Sequence, residues 1–512
     1  MLESAHTTRQ TPTKRPGSNR SRNENRDQDR KPDSSHLYEE KSKVIKATRA
    51  TQLQKIVKTG VSTNEVAINE FKDMMNMQNR YEVVVVGGGT TGAAACYHLS
   101  QAGVQNILCL DMGRPGEGQT QTRQVDDQAP LTGCDEKSFV PNFSGSRVFE
   151  GAEKGPRTIK MIVTLPPYEM LDGFADLFGW DGVKTYLELA QHGLQLQLEL
   201  ANKILPDPVQ QVKKSGSLMV CEAERTSRLK QEYEFLQKLD CPCEWWDKER
   251  VVHAQGAAAG YVAGIWFPQD ARIDSVTYAK SLLAAATKNS SVTLREECSP
   301  VVDIQNDNSG HCAEIRLADG ELIEANQVIV ATGGMFIDKS LAGLLTPRYS
   351  YLAALPHNDP GPLGGMEAPD SANFFTLGFS HDWCVESNFV RISGEDHYSG
   401  LKSPRAQQRC GRLAQWGWTK YPYLEFGSDY PATYGIYSET PDFMPLVGKT
   451  ESTSRICYMV GCNAWGQASL SAAAELAAPL LGYREMTESE QRTADLFSIR
   501  RFSARSTSTI SQ

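Results

Sequence analysis

Three glycines, Gly87, Gly89 and Gly92, stand between a run of valines and an alanine-rich stretch. In a strand–turn–helix unit the first glycine permits the tight turn, the second lets a pyrophosphate approach the backbone, and the third allows helix and strand to pack closely. The helix N-terminus then stabilises the phosphate charge. Asp111 follows Gly92 by 19 residues, where a carboxylate accepts a hydrogen bond from a ribose hydroxyl and disfavours NADP. This spacing predicts a dinucleotide site, and the alternative is a glycine-rich turn without a ligand.

Three later segments also place glycines next to the end of a predicted strand. They are residues 113–120, 328–334 and 459–467. Each would bring backbone close to a bound dinucleotide, and their wide separation along the chain implies a long ligand that is held at several points. A nicotinamide-binding domain is usually one continuous block. The sequence therefore favours FAD over NAD as the cofactor.

Strands and helices must position these segments. Apolar periodicity and capping residues predict helices over 92–103, 180–204, 225–239, 273–287 and 468–481. Runs of β-branched residues predict strands over 82–86 and 105–111, within 291–330 and 374–393, and over 456–460. This order predicts an α/β protein (α+β overall) with a Rossmann-type FAD-binding domain built from separated segments. An inserted substrate domain with a mixed or antiparallel sheet completes the expected fold.

The expected domains follow from this order of elements. We assign residues 81–150, 268–345 and 430–502 to the FAD-binding domain, and residues 151–267 and 346–429 to the substrate domain. Residues 1–60 are polar and basic with few aromatics, so they cannot bury enough apolar area to fold. We expect a disordered, solvated tail. The alternatives are a docking or nucleic-acid-binding arm and a mitochondrial presequence, although the acidic residues of this segment count against a presequence.

Composition argues against several classes of function. The 512 residues carry a formal net charge of −9, which argues against a dominant role in nucleic-acid binding. The sequence has no stretch of about 18 apolar residues, so we expect no membrane span. Residues 1–10 have no hydrophobic core, so we expect no secretory signal. Among the 12 cysteines only Cys241 and Cys243 are a close pair, and no second pair completes a zinc site. We expect reduced thiols, no metal and a cytoplasmic location, with a mitochondrial location as the alternative.

Six segments together resemble the D-amino-acid-oxidase superfamily of FAD-dependent oxidoreductases, in its sarcosine-oxidase-like branch. They are the first glycine segment with Asp111, the 113–120 loop, and the stretches 267–274, 328–334, 437–448 and 461–466; residues 497–502 also look like the family's closing motif. The resemblance covers residues 81–502. It implies oxidation of a CH–NH bond in an amine or amino acid by hydride transfer to flavin N5, with reoxidation by oxygen or another acceptor.

The resemblance also implies which residues contact FAD. They are Gly87, Gly88, Gly89, Thr90, Thr91, Gly92, Asp111, Met112, Gly118, Gln119, Thr120, Arg123, Val301, Thr332, Gly333, Gly461, Asn463, Ala464, Trp465, Gly466 and Gln467. Asn463 is expected to hydrogen-bond the polar edge of the flavin ring.

Three positions depart from the family's pattern. Gly435 stands where members with covalently bound flavin often have a cysteine, so we expect FAD without a cysteine link at position 435. Trp465 stands where the family often has a histidine. Ala468 stands where sarcosine-oxidase-like enzymes have a lysine that holds the substrate carboxylate. A small carboxylate substrate therefore needs another cationic partner.

The candidate catalytic residues are Arg391, Tyr434 and His397. Residues 389–393 align loosely with a strand on which oxidases of this branch carry a lysine that promotes reaction with oxygen. We expect Arg391 to face the flavin and to supply positive charge to reduced flavin, oxygen or a substrate carboxylate. The alternative is an exposed strand arginine, because a shift of one residue in register reverses the faces. Four polar aromatics are expected to line the cavity, or else to be packed rings with satisfied polar tips: Tyr349, Tyr351, Tyr434 and His397.

The leading prediction is a FAD-dependent oxidoreductase that acts on a small-molecule amine or amino acid. An enzymatic alternative is a flavin dehydrogenase of a hydroxy acid or polyol, since related folds host both reactions. The other class is a non-catalytic flavoprotein scaffold with the basic tail as its contact. The residues at Trp465 and Ala468 favour this last alternative, because they depart from the catalytic pattern.

Overall fold

The computed structural model describes residues 80–116, 123–124, 159–162, 171–288, 290–307, 310–334, 338–357, 373–377, 381–385, 389–398, 405–424, 426–427, 430–451 and 454–502. The predicted tail over 1–60 and three of the expected cofactor residues, Gly118, Gln119 and Thr120, lie outside these ranges. The description of Arg123 is limited to its backbone.

The helices and strands appear in alternation along these ranges. The α-helices are α1 Thr90–Gln101, α2 Leu171–Ile204, α3 Pro208–Gln211, α4 Thr226–Lys238, α5 Lys248–Gln255, α6 Ser275–Thr287, α7 Ala406–Lys420, α8 Gly466–Ala473, α9 Ala477–Leu480 and α10 Glu488–Phe497. The strands are β1 Arg80–Val86, β2 Ile107–Leu110, β3 Arg123–Gln124, β4 Ile159–Ile162, β5 Val212–Lys213, β6 Ser217–Cys221, β7 Glu244–Trp246, β8 Ala263–Phe267, β9 Ala271–Asp274, β10 Val292–Arg295, β11 Val301–Asn306, β12 Ala313–Leu317, β13 Leu322–Val330, β14 Thr346–Pro356, β15 Asn373–Thr376, β16 His381–Val385, β17 Phe389–Tyr398, β18 Ala432–Glu439, β19 Leu446–Lys449 and β20 Ile456–Val460.

Local sequence explains where the longer helices begin and end. The helix predicted over 180–204 is the main part of α2, which is broken at Gly179 by a backbone of φ 70° and ψ 166°. Asp274 caps α6, since its Oδ1 accepts a hydrogen bond from the Thr277 N–H at 3.0 Å. Among the described residues no helix is long and apolar enough to cross a membrane.

The first sheet is assembled from separated segments of the chain. Its parallel centre has the order β10-β2-β1-β13-β20, and antiparallel strands β12, β11 and β19 extend it. Val83 and Val85 of β1 pack on the helix side, while Val84 and Val86 pack in a second core on the other side. The valine run is therefore buried on both faces, as parallel strands require.

The second sheet has nine strands in the order β3-β18-β14-β17-β16-β15-β6-β8-β7. Its strand β18 lies within 430–502, which the sequence assigned to the FAD-binding domain, yet it pairs along its whole length with β14. Backbone hydrogen bonds with β14 place β18 in the second sheet, and sequence patterns do not show which distant strands pair. A small third sheet, in the order β4-β9-β5, completes the described strands.

Candidate functional site

The first glycine segment forms a tight cradle between β1 and α1. Gly87 has a φ of +106°, and a Cβ atom there would lie 2.4 Å from the Ala331 carbonyl oxygen. A Cβ atom on Gly92 would lie 1.8 Å from the Gly87 carbonyl oxygen. Both positions exclude a side chain because the facing atoms belong to the backbone. The tight turn and the close packing that the sequence predicted are therefore present.

The N-terminus of α1 lies at this cradle. Gly89 is the N-cap residue, and among the described residues no side chain accepts a capping hydrogen bond there and no acidic residue lies in the first turn. The first turn of a helix has N–H groups without helical partners, and its dipole favours an anion. Thr90 is buried and Thr91 is half-buried at this position. The arrangement suits a phosphate group.

Asp111 joins two of the glycine segments. Its Oδ2 accepts a hydrogen bond from the Gly88 N–H at 2.7 Å, and its Oδ1 accepts one from the Gly113 N–H at 2.8 Å. The carboxylate thus holds the two loops together, a role that the sequence analysis missed. Each carboxylate oxygen can accept a further hydrogen bond, so the predicted ribose contact remains compatible with this geometry. Met112 is exposed beside it, and Val301 is half-buried at the start of β11.

The glycine segment at the end of β13, residues 328–334, also contacts the second sheet. The Ala331 N–H donates to the Val86 carbonyl at 2.9 Å, which places this segment beside Gly87. The Ser438 hydroxyl donates to the Gly333 carbonyl at 3.0 Å, and a Cβ atom on Gly334 would lie 2.7 Å from the backbone of Ile436. The half-buried Thr332 lies between these two contacts. The first and second sheets therefore lie close together at Gly333 and Gly334.

The third approach, Gly461 to Gln467, has an unusual backbone. Gly461, Asn463 and Ala464 all have positive φ, at 77°, 48° and 68°. Only glycine adopts this region without cost, so the alanine holds a strained conformation. Strain of this kind clusters at ligand sites, and Gly466 follows at the start of α8.

Two side chains of this segment hold neighbouring backbone and side chains. The Asn463 Oδ1 accepts hydrogen bonds from the Thr440 N–H at 2.8 Å and hydroxyl at 3.2 Å, and its Nδ2 donates to the Gly461 carbonyl at 2.8 Å. The amide is buried and holds its own loop, and the contact with the flavin ring stays a prediction. The Gln467 amide is likewise bound to Gln197 of α2, with Nε2 donating at 3.1 Å.

Two sequence motifs meet in a buried ion pair that supports this region. Arg501 of the closing motif donates from Nε and Nη2 to both carboxylate oxygens of Asp442 at 2.8 and 2.9 Å. The guanidinium also donates to the backbone carbonyl of Met444 at 2.7 Å. Both side chains are almost fully buried. The pair fixes the 440–445 turn beside Asn463, and no spacing in the sequence indicates that the two motifs meet.

One face of the second sheet contacts the last of the glycine segments, residues 461–467. We call the segments at residues 87–92, 328–334 and 459–467 the cofactor segments. Phe375 of β15 contacts the Trp465 ring edge-on at a centroid distance of 5.5 Å. In register across β16 and β17, Phe375 pairs with Asp382, and Asp382 pairs with Ser393. We call this the inner face. The outer face packs against α7 through residues such as Trp383 and Ile392.

Arg391 lies on the inner face. It is two residues from Ser393 along β17, and its register partners are Cys384 of β16 and Ala354 of β14. Only 6% of Arg391 is exposed, so the alternative of a solvent-facing arginine is wrong. The flanking residues of β17 pack in the outer core with α7, as the alternation of a strand requires.

Tyr434 and His397 lie on the outer face, which separates them from Arg391. The His397 ring stacks on Tyr349 with a centroid distance of 5.3 Å, and its Nε2 is 2.9 Å from the Tyr351 hydroxyl. Tyr434 pairs with Tyr351 in the β14–β18 register and packs against the same core. The four polar aromatics therefore pack together on the face opposite Arg391, which agrees with the alternative of packed rings. Burial, and then the charge of Arg409, lowers the pKa of His397.

A β-bulge explains this outcome for His397. Residues 391 and 397 would share a face in a regular strand because their separation is even. Between the pairs Tyr351–Gly394 and Tyr349–His397, β17 contains one residue more than β14. Glu395 takes a φ of 56° there. The extra residue turns every following side chain to the opposite face.

The inner face also carries polar groups that sequence reasoning missed. The Ser393 hydroxyl donates to Asp382 Oδ2 at 2.6 Å. Nearer the cofactor segments, Arg348 of β14 donates to Glu439 of β18 at 2.6 Å, and the Tyr437 hydroxyl donates to Asp396 at 2.7 Å. Neither spacing nor composition marks these residues, because only the pairing of distant strands brings them together.

The described residues fit a bound dinucleotide. The cradle at Gly87 and Gly92 leaves no room for side chains, the N-terminus of α1 has no capping side chain, and Asp111 lies where β2 ends. Two further segments, at Gly333 and Gly461, approach from the neighbouring strands β13 and β20. A ligand as long as FAD can contact all of them, at the carboxyl ends of parallel strands.

Comparisons with known proteins agree with this reading of the site. A family model described as FAD-dependent oxidoreductase (DAO) matches residues 82–480. The fold is similar to that of a glycine oxidase from Geobacillus kaustophilus, at a TM-score of 0.60 and 17% identity, covering 82% of this chain and 98% of that one. An L-proline dehydrogenase from P. horikoshii has a TM-score of 0.55 at 15% identity, covering 83% and 99%. An L-α-glycerophosphate oxidase from Mycoplasma pneumoniae with FAD bound has a TM-score of 0.56 at 14% identity, covering 79% and 95%. No curated protein matches the sequence.

Proposed function

Because the chain belongs to the DAO family of FAD-dependent oxidoreductases, we propose that it oxidises the CH–NH bond of an amino acid or of a related amine with a carboxylate. Glycine oxidase and L-proline dehydrogenase, which it resembles in fold, are named for amino-acid substrates. Fold alone does not identify a substrate. The proposal therefore depends on the side chains that face the cofactor segments.

The position of Arg391 carries this proposal. It is a buried cation on the inner face, the face whose Phe375 contacts Trp465 of the third cofactor segment. A guanidinium binds a carboxylate through two parallel charge-assisted hydrogen bonds. Ala468 lacks the charge that lysine supplies at the matching family position. Arg391 provides a positive charge on the substrate side of the cofactor in its place.

The reaction can be described from what the chain's own residues do. FAD, when bound, supplies the acceptor for the hydride that leaves the substrate carbon. The N–H groups of the first turn of α1 would hold its pyrophosphate, and Asp111 would hold the ribose. Arg391 would bind the substrate carboxylate and so fix the orientation of the CH–NH group. Phe375 and Trp465 would keep water from this side of the site. An amine that binds in its neutral form needs no protein base.

The test compares substrates with and without a carboxylate. Reduction of the flavin under anaerobic conditions, followed by its absorbance, gives a substrate Kd for an amino acid and for the amine that lacks its carboxylate. Arg391→Ala should raise the Kd of the amino acid about a hundredfold, since it removes charged hydrogen bonds, and leave the amine unchanged. Arg391→Lys should fall between them.

Two control variants separate this effect from general damage. Arg316→Ala removes an exposed arginine from β12 of the first sheet, and Tyr434→Phe removes a hydroxyl from the outer face. Both should bind amino acid and amine as the unmodified protein does. Equal binding of the amino acid by Arg391→Ala would reject the assignment of the carboxylate site.

A hydroxy acid or polyol is the second candidate substrate. Similarity in fold to an L-α-glycerophosphate oxidase favours this alternative. The same anaerobic assay distinguishes the two candidates, with an amino acid and the matched hydroxy acid as the pair. Flavin reduction by the hydroxy acid but not by the amino acid would replace the first proposal.

We also propose that FAD is bound without a covalent link at position 435. Gly435 pairs with Ser350 in the β14–β18 register, and glycine offers no side chain for attachment. After acid precipitation of the protein, the flavin absorbance should be in the supernatant. Flavin in the pellet would indicate attachment at another residue.

A cytoplasmic location remains our proposal. The cysteines among the described residues are free thiols, as is usual in a reducing compartment. Fractionation of cells into cytosol and mitochondria, with an antibody to the chain, tests it.

A further inference from the structure

The Cys-Pro-Cys motif lies in the turn between α4 and β7, and the proposed oxidoreductase reaction does not use it. Cys241 is buried, with 4% exposed, and its N–H donates to the Leu236 carbonyl at 2.9 Å. Cys243 is half-buried and both residues are free thiols. The described residues show no group of three or more ligands that could hold a metal ion. A role for the motif must therefore come from the two sulfurs themselves.

The two thiols lie two residues apart in one turn, and each sulfur receives an amide. Gln191 of α2 points its Nε2 at the Cys241 sulfur at 3.8 Å, and Gln237 of α4 points its Nε2 at the Cys243 sulfur at 3.5 Å. Two residue steps span at most about 7 Å, and disulfides join Cα atoms about 4.4–6.8 Å apart. The two-residue spacing therefore keeps the two Cα atoms within or close to the range that a disulfide joins.

The electrostatic surroundings assign different roles to the two sulfurs. The contact with Cys241 is the main cause that lowers the pKa of Cys243, and the amide of Gln237 lowers it further. The contact with Cys243, followed by burial, raises the pKa of Cys241. The thiolate, which is the nucleophile, therefore forms on the half-buried sulfur, while the buried sulfur stays protonated.

We propose that Cys241 and Cys243 are a redox-active dithiol that closes to an intramolecular disulfide by exchange with a small-molecule disulfide. With glutathione disulfide as the oxidant, the Cys243 thiolate attacks one sulfur and releases one glutathione thiolate. The Cys241 thiol then gives up its proton and attacks the Cys243 sulfur, which releases the second glutathione. Two protein thiols lose two electrons, and one glutathione disulfide is reduced to two glutathione molecules.

A second pair of cysteines in the same chain serves as an internal control. Cys96 of α1 and Cys109 of β2 belong to the same buried core, and both have 0% exposed surface. Without access to solvent they should stay reduced in the folded protein. The access of Cys243 to solvent distinguishes the proposed site.

The experiment equilibrates the full-length protein with a series of glutathione and glutathione disulfide ratios, followed by acid quenching, alkylation and peptide mass mapping. The peptide with Cys241 and Cys243 should lose two hydrogens and carry no glutathione. The peptides with Cys96 and Cys109 should be fully alkylated.

Two variants test the order of attack. Cys241→Ser should accumulate one glutathione on Cys243, whereas Cys243→Ser should leave Cys241 unmodified. Thermal unfolding of each variant verifies that it is folded. The loss of two hydrogens from the Cys241–Cys243 peptide is measured in the unmodified chain, so this test does not depend on whether a variant folds. A stable glutathione adduct on Cys243 of the unmodified chain, a pair that stays reduced at every ratio, or a disulfide between Cys96 and Cys109 would overturn the proposal.

Discussion

Replacing Gly92 by alanine should force α1 away from the first glycine segment. The added Cβ would lie 1.8 Å from the Gly87 carbonyl oxygen and 3.0 Å from its carbonyl carbon. Both are backbone atoms, so no side-chain rotation can relieve the contact. A backbone displacement of about 1.6 Å along this contact is needed to lengthen 1.8 Å to the 3.4 Å of ordinary van der Waals contact. The displacement would open the cradle that we assign to the FAD pyrophosphate.

The expected magnitude combines two opposing terms. Alanine stabilises a helix interior by about 1 kcal/mol relative to glycine. Overpacking costs about 1–3 kcal/mol, and contact with backbone favours the upper end. The net cost is about 2 kcal/mol, which corresponds to roughly a thirtyfold increase in the Kd of FAD if binding must restore the cradle.

The assay is titration of the apoprotein with FAD, followed by quenching of flavin fluorescence, together with thermal unfolding. The matched control is Gly411→Ala in α7, where a Cβ atom would meet nothing within 4 Å. That variant should unfold at the same or a higher temperature and bind FAD unchanged. If Gly92→Ala also binds FAD with the original Kd and unfolds at the original temperature, the close approach of Gly92 to Gly87 does not constrain the site.

Two further predictions concern stability. Burial raises the pKa of Glu232 to about 7, while its carboxylate accepts hydrogen bonds from the Leu171 N–H at 3.2 and 3.3 Å. Since the folded pKa exceeds the ordinary value, this proton stabilises the fold below about pH 4.5, and that contribution, about 3 kcal/mol at most, is lost as the pH rises through about 7. Glu232→Gln should remove this loss. The measurement is the free energy of unfolding in urea at pH 5 and at pH 8. An equal change between the two pH values in the variant and in the unmodified protein would contradict the prediction. Arg501→Ala should lower the free energy of unfolding by about 3–5 kcal/mol, because it leaves the Asp442 carboxylate buried without its partner. A loss below about 1 kcal/mol in urea unfolding would show that the pair does not stabilise the 440–445 turn.

The cofactor cradle could be predicted because its requirements are local. A strand that turns directly into a helix around a phosphate needs glycine at fixed spacings, and these spacings are visible in the sequence around Gly87 and Gly92. The cap at Asp274 was predictable for the same reason, since a capping side chain lies within three residues of the N–H group that it binds.

The roles of Asp111 and Asn463 were only partly predictable. Their positions beside the site follow from the motifs, but their hydrogen bonds go to backbone of other segments, at Gly88 and Thr440. A pattern identifies a polar residue near a ligand. It does not distinguish a side chain that contacts the ligand from one that holds the surrounding loops.

The sequence by itself determined the glycine segments and the alternation of strands and helices, because backbone geometry and hydrophobic periodicity act over a few residues. Only the tertiary structure decided which side chains of the second sheet share a face with Arg391. Arg391 and His397 are six residues apart on one strand, and one extra residue between them places them on opposite faces of the sheet. The pairing of β17 with β14, whose paired residues are about 40 positions apart in the chain, determines where that bulge forms. Strand register therefore separates the candidate substrate site from the aromatic core behind it, and no local pattern specifies it.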